Sequence, residues 1–437
     1  MHCALVMTGL PALGNHGGAL TCWGIVRGLL DVCDQVTVVS LFDRSPANPY
    51  LSHAESNRRA LSCLGVDLET VEFCAELFAR QATGLRLWTA SKALQMLSAP
   101  ARTNLATLYP IARLRPAVTT TLERLAPDVV FCYHFEPLAA TVGFTGAPRM
   151  AGVGDPSHFP ALAAWQMTRP ALSRRYIRQT LATLYAVRAY PPMMITMLRE
   201  CGAIGTFAAH YAAWLRSRGL RQTRYLRTPL VDPVGHEWRR IRDANAVGGK
   251  PRVLLIGDLM GTATTAGLEL LVRQTLPRLE DLLGPNGFEL RVVGRGEPSH
   301  ELARGLDRPS VRMVGVVEPA DVEFLSCDVL LVPTPVELGI RVRILMGLAY
   351  GCCVVAHRAN CAGIPELAHG ENCLLGSTGA GLADETARVA LDEALRRRLQ
   401  VGARETYERF FSIAAAGTAI GEELERLAKG RRLRPRA

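Results

Sequence analysis

The sequence predicts an α/β protein made of two successive doubly wound, Rossmann-like parallel-sheet domains. Three observations carry that expectation. Short apolar runs alternate with helical stretches from the first residues, a glycine-rich turn follows the first run, and after residue 250 the alternation starts again. The chain has 437 residues, enough for about two to four domains at roughly 100–200 residues each. With 49% of residues hydrophobic and 21% charged, it can bury a large core and is not a disordered chain.

The elements follow in order. Residues 3–8 (CALVMT) read as a strand, 19–30 as a helix and 35–42 as a second strand, a βαβ unit that demands a parallel sheet. Residues 128–135 (DVVFCYHF) and 149–154 (RMAGVG) read as later strands of that sheet. Ahead of them, residues 75–125 form an arginine-bearing helical region broken at Pro100, Pro110 and Pro116. A second basic helical region covers about 160–200, and 202–220 reads as a short strand and helix. Residues 225–233 (YLRTPLVDP) read as a strand ending in a turn, and 243–250 (DANAVGGK) as a linker. The second domain then offers strands at 252–258, 288–294, 311–317, 328–334 and 352–357, with helices at 265–283 and 341–349. The tail KGRRLRPRA is expected to be disordered.

Composition excludes several classes. Twelve cysteines include no C-x-x-C pair and no His/Cys cluster at zinc spacing, so a reducing compartment is expected. The start MHCALVMTG lacks a basic region before its apolar stretch and does not read as a signal peptide. No window holds 18 uncharged apolar residues. The expected location is the cytoplasm, with peripheral attachment at the inner face of the membrane. Net charge is +10 but uneven: residues 1–79 net −4, 80–250 net +15 and 251–437 net −1. A middle segment with all the excess suggests contact with an anionic membrane, phosphate or nucleic acid. The interleaved aromatics of a base-stacking groove are missing, so no nucleic-acid partner is expected.

Open parallel sheets bind ligands beyond the carboxyl ends of their strands. His134 ends the run DVVFCYHF and is therefore a candidate site residue, with Asp155 and His158 weaker ones after the next strand. An Asp-Pro turn accounts for Asp155 without chemistry. Gly14, Gly17 and Gly18 would let the backbone approach a phosphate or sugar, but GNHGG does not fit G-x-G-x-x-G, so a nicotinamide fold is a poor match. In VELGIRVRIL, Arg341 and Arg343 open a helix after a glycine. Two cations beside helix-terminal N–H groups make a pyrophosphate clamp, because arginine grips phosphate oxygens in bidentate fashion.

Read together, PTPVELGIRVRILMGLAYGCCVVAHRANCAGIPELAHGENCLL resembles the donor-site region of glycosyltransferase family four. RVLLIGD, LRVVGRGEP and DVLLVPT resemble the same family, and GNHGGAL, PDVVFCYHF and PLVDP agree more loosely. The resemblance implies the GT-B fold, two Rossmann-like domains facing a cleft. The expected organisation is an acceptor-side domain at 1–247, a nucleotide-sugar donor domain at 248–405, and a helix returning to the first domain with the basic tail at 406–437. It implies transfer of a sugar from a nucleotide donor to a cytoplasmic glycan or lipid-linked acceptor, with retention of anomeric configuration. It implies that His134 supports the reaction, that Gly17 and Gly18 lie beside the donor phosphates, and that Gly294 and Gly296 lie near the base. Glu337, Gly339, Arg341 and Arg343 complete the expected donor site. No cofactor is expected beyond the nucleotide-sugar co-substrate, and no Asp-x-Asp pair argues for a metal.

The family's usual pair of glutamates falls here on Leu338 and Met346, with Glu337 one place from the first. A thioether is a poor acceptor for ribose hydroxyls. The alternative expectation is therefore a non-catalytic GT-B protein with a degraded donor site.

Overall fold

The computed structural model describes residues 1–11, 17–46, 48, 51–75, 105–167 and 174–432. Gly14 of the glycine loop, residues 76–104 of the first basic region and residues 433–437 of the tail lie outside the described residues. The chain divides into two compact units. Met1–Leu13, Ile25–Leu226 and Gly417–Ala437 form the first, and Gly14–Gly24 with Arg227–Ala416 the second.

The first unit runs β1 (His2–Thr8), α1 (Gly17–Leu30), β2 (Gln35–Asp43), α2 (Ala54–Cys63), β3 (Asp67–Phe73), α3 (Leu105–Leu108), α4 (Arg115–Leu125), β4 (Val129–Tyr133), α5 (Phe135–Ala140), β5 (Arg149–Val153), α6 (His158–Met167), α7 (Arg174–Arg199), β6 (Ala203–Thr206), α8 (Ala209–Ser217) and β7 (Thr223–Tyr225). Its seven strands are all parallel, in the order β3-β2-β1-β4-β5-β6-β7. The central strands β4 and β5 are buried at every residue, as the apolar runs require of a sheet covered on both faces. One core gathers Val6, Val39, Val130, Leu138, Ile204 and Leu215. The α2–β3 pair was not expected: β3 is an edge strand whose Asp67, Glu69 and Glu72 interrupt its apolar pattern. Of the expected strand at 225–233, only Tyr225 joins the sheet.

The second unit runs α9 (Trp238–Asn245), β8 (Arg252–Ile256), α10 (Thr262–Leu270), α11 (Leu276–Leu283), β9 (Glu289–Val293), α12 (His300–Leu306), β10 (Val311–Gly315), α13 (Asp321–Ser326), β11 (Val329–Val332), α14 (Val342–Ala349), β12 (Val354–His357), β13 (Cys373–Gly376), α15 (Gly379–Leu391) and α16 (Glu393–Phe410). Its six parallel strands take the order β10-β9-β8-β11-β12-β13. One face packs Leu254, Leu330, Leu345, Tyr350 and Tyr407, and the other Val253, Leu268, Leu279, Leu331 and Leu399. The chain closes with α17 (Thr418–Arg432), which belongs to the first unit.

The division between the units falls at residues 226 and 227. Side-chain packing ties the segment after residue 226 to the second unit. Arg242 of α9 is buried and donates to the carbonyls of Phe324 and Cys327, the former at 2.9 Å, both at the end of α13. The Trp238 ring covers Gly351. At the other end, Tyr407 and Phe411 are still core residues of the second unit. The return to the first unit begins at Gly417, where Leu427 of α17 lies against Gly202 and Arg224 pairs with Glu423 at 2.6 Å. Among the described residues, no helix is long and apolar enough to cross a membrane.

Candidate functional site

In a doubly wound sheet, the strand order reverses direction at one point, and the crevice beyond the strand ends there is where ligands bind. That point lies between β1 and β4 in the first unit and between β8 and β11 in the second. His134 is the first residue after β4. Arg341 and Arg343 lie beyond β11, at the start of α14.

His134 has φ +76° and ψ 174°, a region occupied almost only by glycine and costing about 1–3 kcal/mol for other residues. Its N–H donates to the Gly152 carbonyl at 2.8 Å, extending the β4–β5 ladder by one step. The side chain is half-buried, with its ring centroid 4.1 Å from that of Tyr133. A β-carbon at Gly154 would sit 2.6 Å from the imidazole Cε1, so the glycine after β5 makes room for the ring. Burial alone lowers the imidazole pKa to about 4. At neutral pH it is an uncharged ring that can donate one hydrogen bond and accept another.

His158 and Asp155 differ from His134. His158 is 5% exposed and packed between Phe159 and Trp214 with ring centroids at 4.3 and 5.1 Å. It is a core residue. Asp155 sits half-buried in the turn before α6. Gly17 and Gly18 begin α1, whose first turns to Gly24 belong to the second unit, and Gly18 is exposed.

In the second unit the structure brings Gly294, Gly296 and Arg343 together, and adds Gly257 and Thr264. Gly257 and Gly294 end β8 and β9 with φ of +150° and +146°. A β-carbon on Gly294 would lie 1.7 Å from the Gly257 carbonyl oxygen, so only glycine lets these two loops pass. The loops are further tied by a bond from the Leu259 N–H to the Arg295 carbonyl at 2.9 Å. Gly296 lies under the Met260 side chain.

The Arg343 guanidinium lies over Gly257. It donates through Nη1 to the Ile256 carbonyl at 2.6 Å and through Nη2 to Thr264 Oγ1 at 2.9 Å. It thereby spans the point of reversal between β8 and β11. Burial, with the charge of Arg341 beside it, lowers its pKa to about 9, so it remains a cation at neutral pH. No carboxylate among the described residues pairs with it. A guanidinium offers five N–H donors, and a desolvated cation with donors to spare next to a second arginine attracts an anion.

Gly339, with φ +59°, belongs to a different contact: its carbonyl lies where a β-carbon of Gly363 would be. Glu337 is exposed on the loop after β11, whereas Leu338 is 7% exposed and Met346 of α14 packs half-buried against the core. Gly257, Gly154 and Thr264 were not anticipated. Glycines directly after apolar runs were the available signal for the first two. Among the described residues, no group of three or more His, Cys, Asp or Glu is placed to hold a metal ion.

Residues 250–392 match the model of the family described as Glycosyl transferases group 1. No curated protein matches the chain by sequence. Solved structures are similar over nearly its whole length. HepE of Anabaena in complex with UDP is 14% identical with a TM-score of 0.64, covering 98% of this chain and 100% of that one. A glycosyltransferase from Rickettsia africae is 11% identical with a TM-score of 0.61, covering 98% of each. A variant of S. aureus TarM in complex with fondaparinux, α-GlcNAc-glycerol and UDP is 10% identical with a TM-score of 0.61, covering 98% and 99%. At such identities the likeness is one of fold, and the fold is GT-B.

Proposed function

We propose that the protein is a retaining glycosyltransferase of family four, moving a sugar from a nucleotide donor to a cytoplasmic glycan or lipid-linked acceptor. The observation that carries this reading is the unpaired Arg343 guanidinium beside Arg341 at the reversal point of the second sheet. The donor diphosphate fits there, with Gly294 and Gly296 toward the base and Gly17, Gly18, Glu337 and Gly339 as further donor contacts. The Glycosyl transferases group 1 match over 250–392 spans these residues except Gly17 and Gly18, and the UDP bound in the similar HepE and TarM structures agrees in ligand class.

In the reaction, the acceptor hydroxyl oxygen bonds to the anomeric carbon as the bond from that carbon to the diphosphate oxygen breaks. The hydroxyl proton passes to the departing diphosphate, whose charge the two arginines stabilise. Attack on the leaving-group face preserves configuration without a protein nucleophile. Neutral His134 holds the donor sugar by hydrogen bonding. The +15 excess of residues 80–250 supports peripheral contact with an anionic membrane, where a lipid-linked acceptor would reside.

A mass-spectrometric screen of nucleotide sugars for turnover or hydrolysis tests the activity, and Arg341→Ala tests the site. The variant should lose about one to two decades of affinity for a nucleoside diphosphate and almost none for the nucleoside. Equal losses would remove Arg341 from the phosphate site. A second reading, a non-catalytic binding protein, draws on the apolar packing of Met346. It predicts no turnover with any donor, and calorimetry of Met346→Glu with UDP and GDP separates the cases: tighter binding identifies an altered donor site.

A further inference from the structure

Helix α7 has more apolar faces than the fold uses. Its inward side carries Ala189, Met194, Met197 and Leu198 into the core of the first unit, each 1% exposed or less. On another side, Ile177, Leu181, Leu184 and Val187 are 50, 44, 49 and 39% exposed. At about 100° per residue these four fall within an arc of roughly 120°. Arg178 and Arg188 are exposed beside them. From residue 156 to residue 199 the sequence holds six arginines and no aspartate or glutamate.

The neighbouring helix extends the pattern. α6 (HFPALAAWQM) has no residue with a full charge apart from its titratable histidine, yet only His158 and Ala163 of it are buried. Trp165 is half-buried and donates from its indole Nε1 to Thr180 Oγ1 at 2.9 Å, fastening α6 to α7. An apolar stripe with Arg188 within its arc and Arg178 about 60° beyond its edge, without acids and next to an amphipathic tryptophan, has the composition of a helix lying in a lipid interface, where an arginine's long stem lets its charge reach the headgroups. A nucleic acid would use the arginines and leave the stripe in water.

We infer that the outward face of α7, with Ile177, Leu181, Leu184 and Val187 inserted and Arg178 and Arg188 on the headgroups, docks the protein on an anionic phospholipid bilayer. The inference rests on the membrane contact proposed above and is independent of the transfer chemistry. It narrows a contact spread over residues 80–250 to one helix face.

The test is co-sedimentation of the full chain with phosphatidylcholine vesicles, with and without phosphatidylglycerol. Wild type should bind the phosphatidylglycerol vesicles and lose binding as salt rises. Leu181→Glu with Leu184→Glu should weaken binding by about tenfold or more, while the circular dichroism spectrum and nucleotide affinity stay as in wild type. Arg178→Glu with Arg188→Glu should weaken binding chiefly at low salt, and serves if the first pair does not fold. Wild-type binding that neither pair reduces would leave the membrane contact standing and remove α7 from it. Absence of wild-type binding would overturn both. A wild-type dimer that the leucine pair converts to monomer would make the face a self-association surface and overturn the inference.

Discussion

A single residue holds the least favourable backbone geometry in the first unit's site. His134 keeps its left-handed conformation because its N–H is bound to Gly152 and its ring is wedged between Tyr133 and Gly154. Strain of this kind persists where the side chain is needed in one place. Two substitutions separate strain from chemistry. His134→Gly and His134→Ala should both lose turnover, but the glycine variant should be the more stable by about 1–3 kcal/mol in urea melts, since only glycine accepts this backbone. Equal stabilities would mean that the backbone relaxes once the ring is gone. His158 gives a second residue-scale expectation. Burial, helped by Arg218, lowers its pKa to about 4 from the usual 6.5. The folded state therefore prefers the neutral ring, and the unfolded chain takes up a proton first as pH falls. This contribution is complete above about pH 6.5 and is lost between 6.5 and 4, up to roughly 3 kcal/mol. His158→Phe, which keeps a ring packed against Trp214, should flatten the fall in stability between pH 7 and 4.5. An equally steep fall would assign the acid sensitivity to other groups.

At the scale of elements, α14 links the arginine pair to the core. Its amino end presents Arg341 and Arg343, and its inward face buries Ile344, Leu345 and Leu348. The helix stops at Gly351, whose φ of +64° and cover by Trp238 leave no room for a β-carbon, which would sit 2.6 Å from the indole. Gly351→Ala should cost about 1–2 kcal/mol from backbone strain alone, and more if the tryptophan cannot shift. Thermal unfolding of the variant measures this, and an unchanged midpoint would show that both chain and indole give way freely. The apolar runs were enough to place β1, β4, β8 and β9 in advance, with a glycine directly after β1, β8 and β9, and helical spacing placed α14. The edge strand β3 escaped because its charges hide the alternation. The helix expected at 265–283 is one continuous run in sequence pattern, but the structure interrupts it with a π-helical turn at Leu271–Thr275. Hydrophobic spacing does not mark a change of hydrogen-bond register.

For the whole molecule, the consequential feature is where the two units divide. The segment from Arg227 to residue 247 reads as the end of one domain and a linker, yet Arg242 and Trp238 bind it to the second unit. Removing it would leave the Phe324 and Cys327 carbonyls without their charged donor inside the protein. A fragment of residues 227–416 should therefore be more stable than one of residues 248–416, by roughly 3 kcal/mol or more. Matching denaturation midpoints for the two would return the boundary to the polar stretch.

The sequence by itself determined the parallel-sheet class, the restart after residue 250, and the candidates at His134, Gly294, Gly296, Arg341 and Arg343. The class, the restart and the candidates His134, Arg341 and Arg343 follow from local periodicity, strand ends and cations at a helix start, and Gly294 and Gly296 from the family resemblance, all read from neighbours in the chain. Only the tertiary structure decided that Arg343 reaches across to Ile256 and Thr264, that His134 pays a backbone cost against Gly154, and that Arg242 belongs with Cys327. Each of these joins residues tens of positions apart, and a pattern read along the chain carries no distance between them.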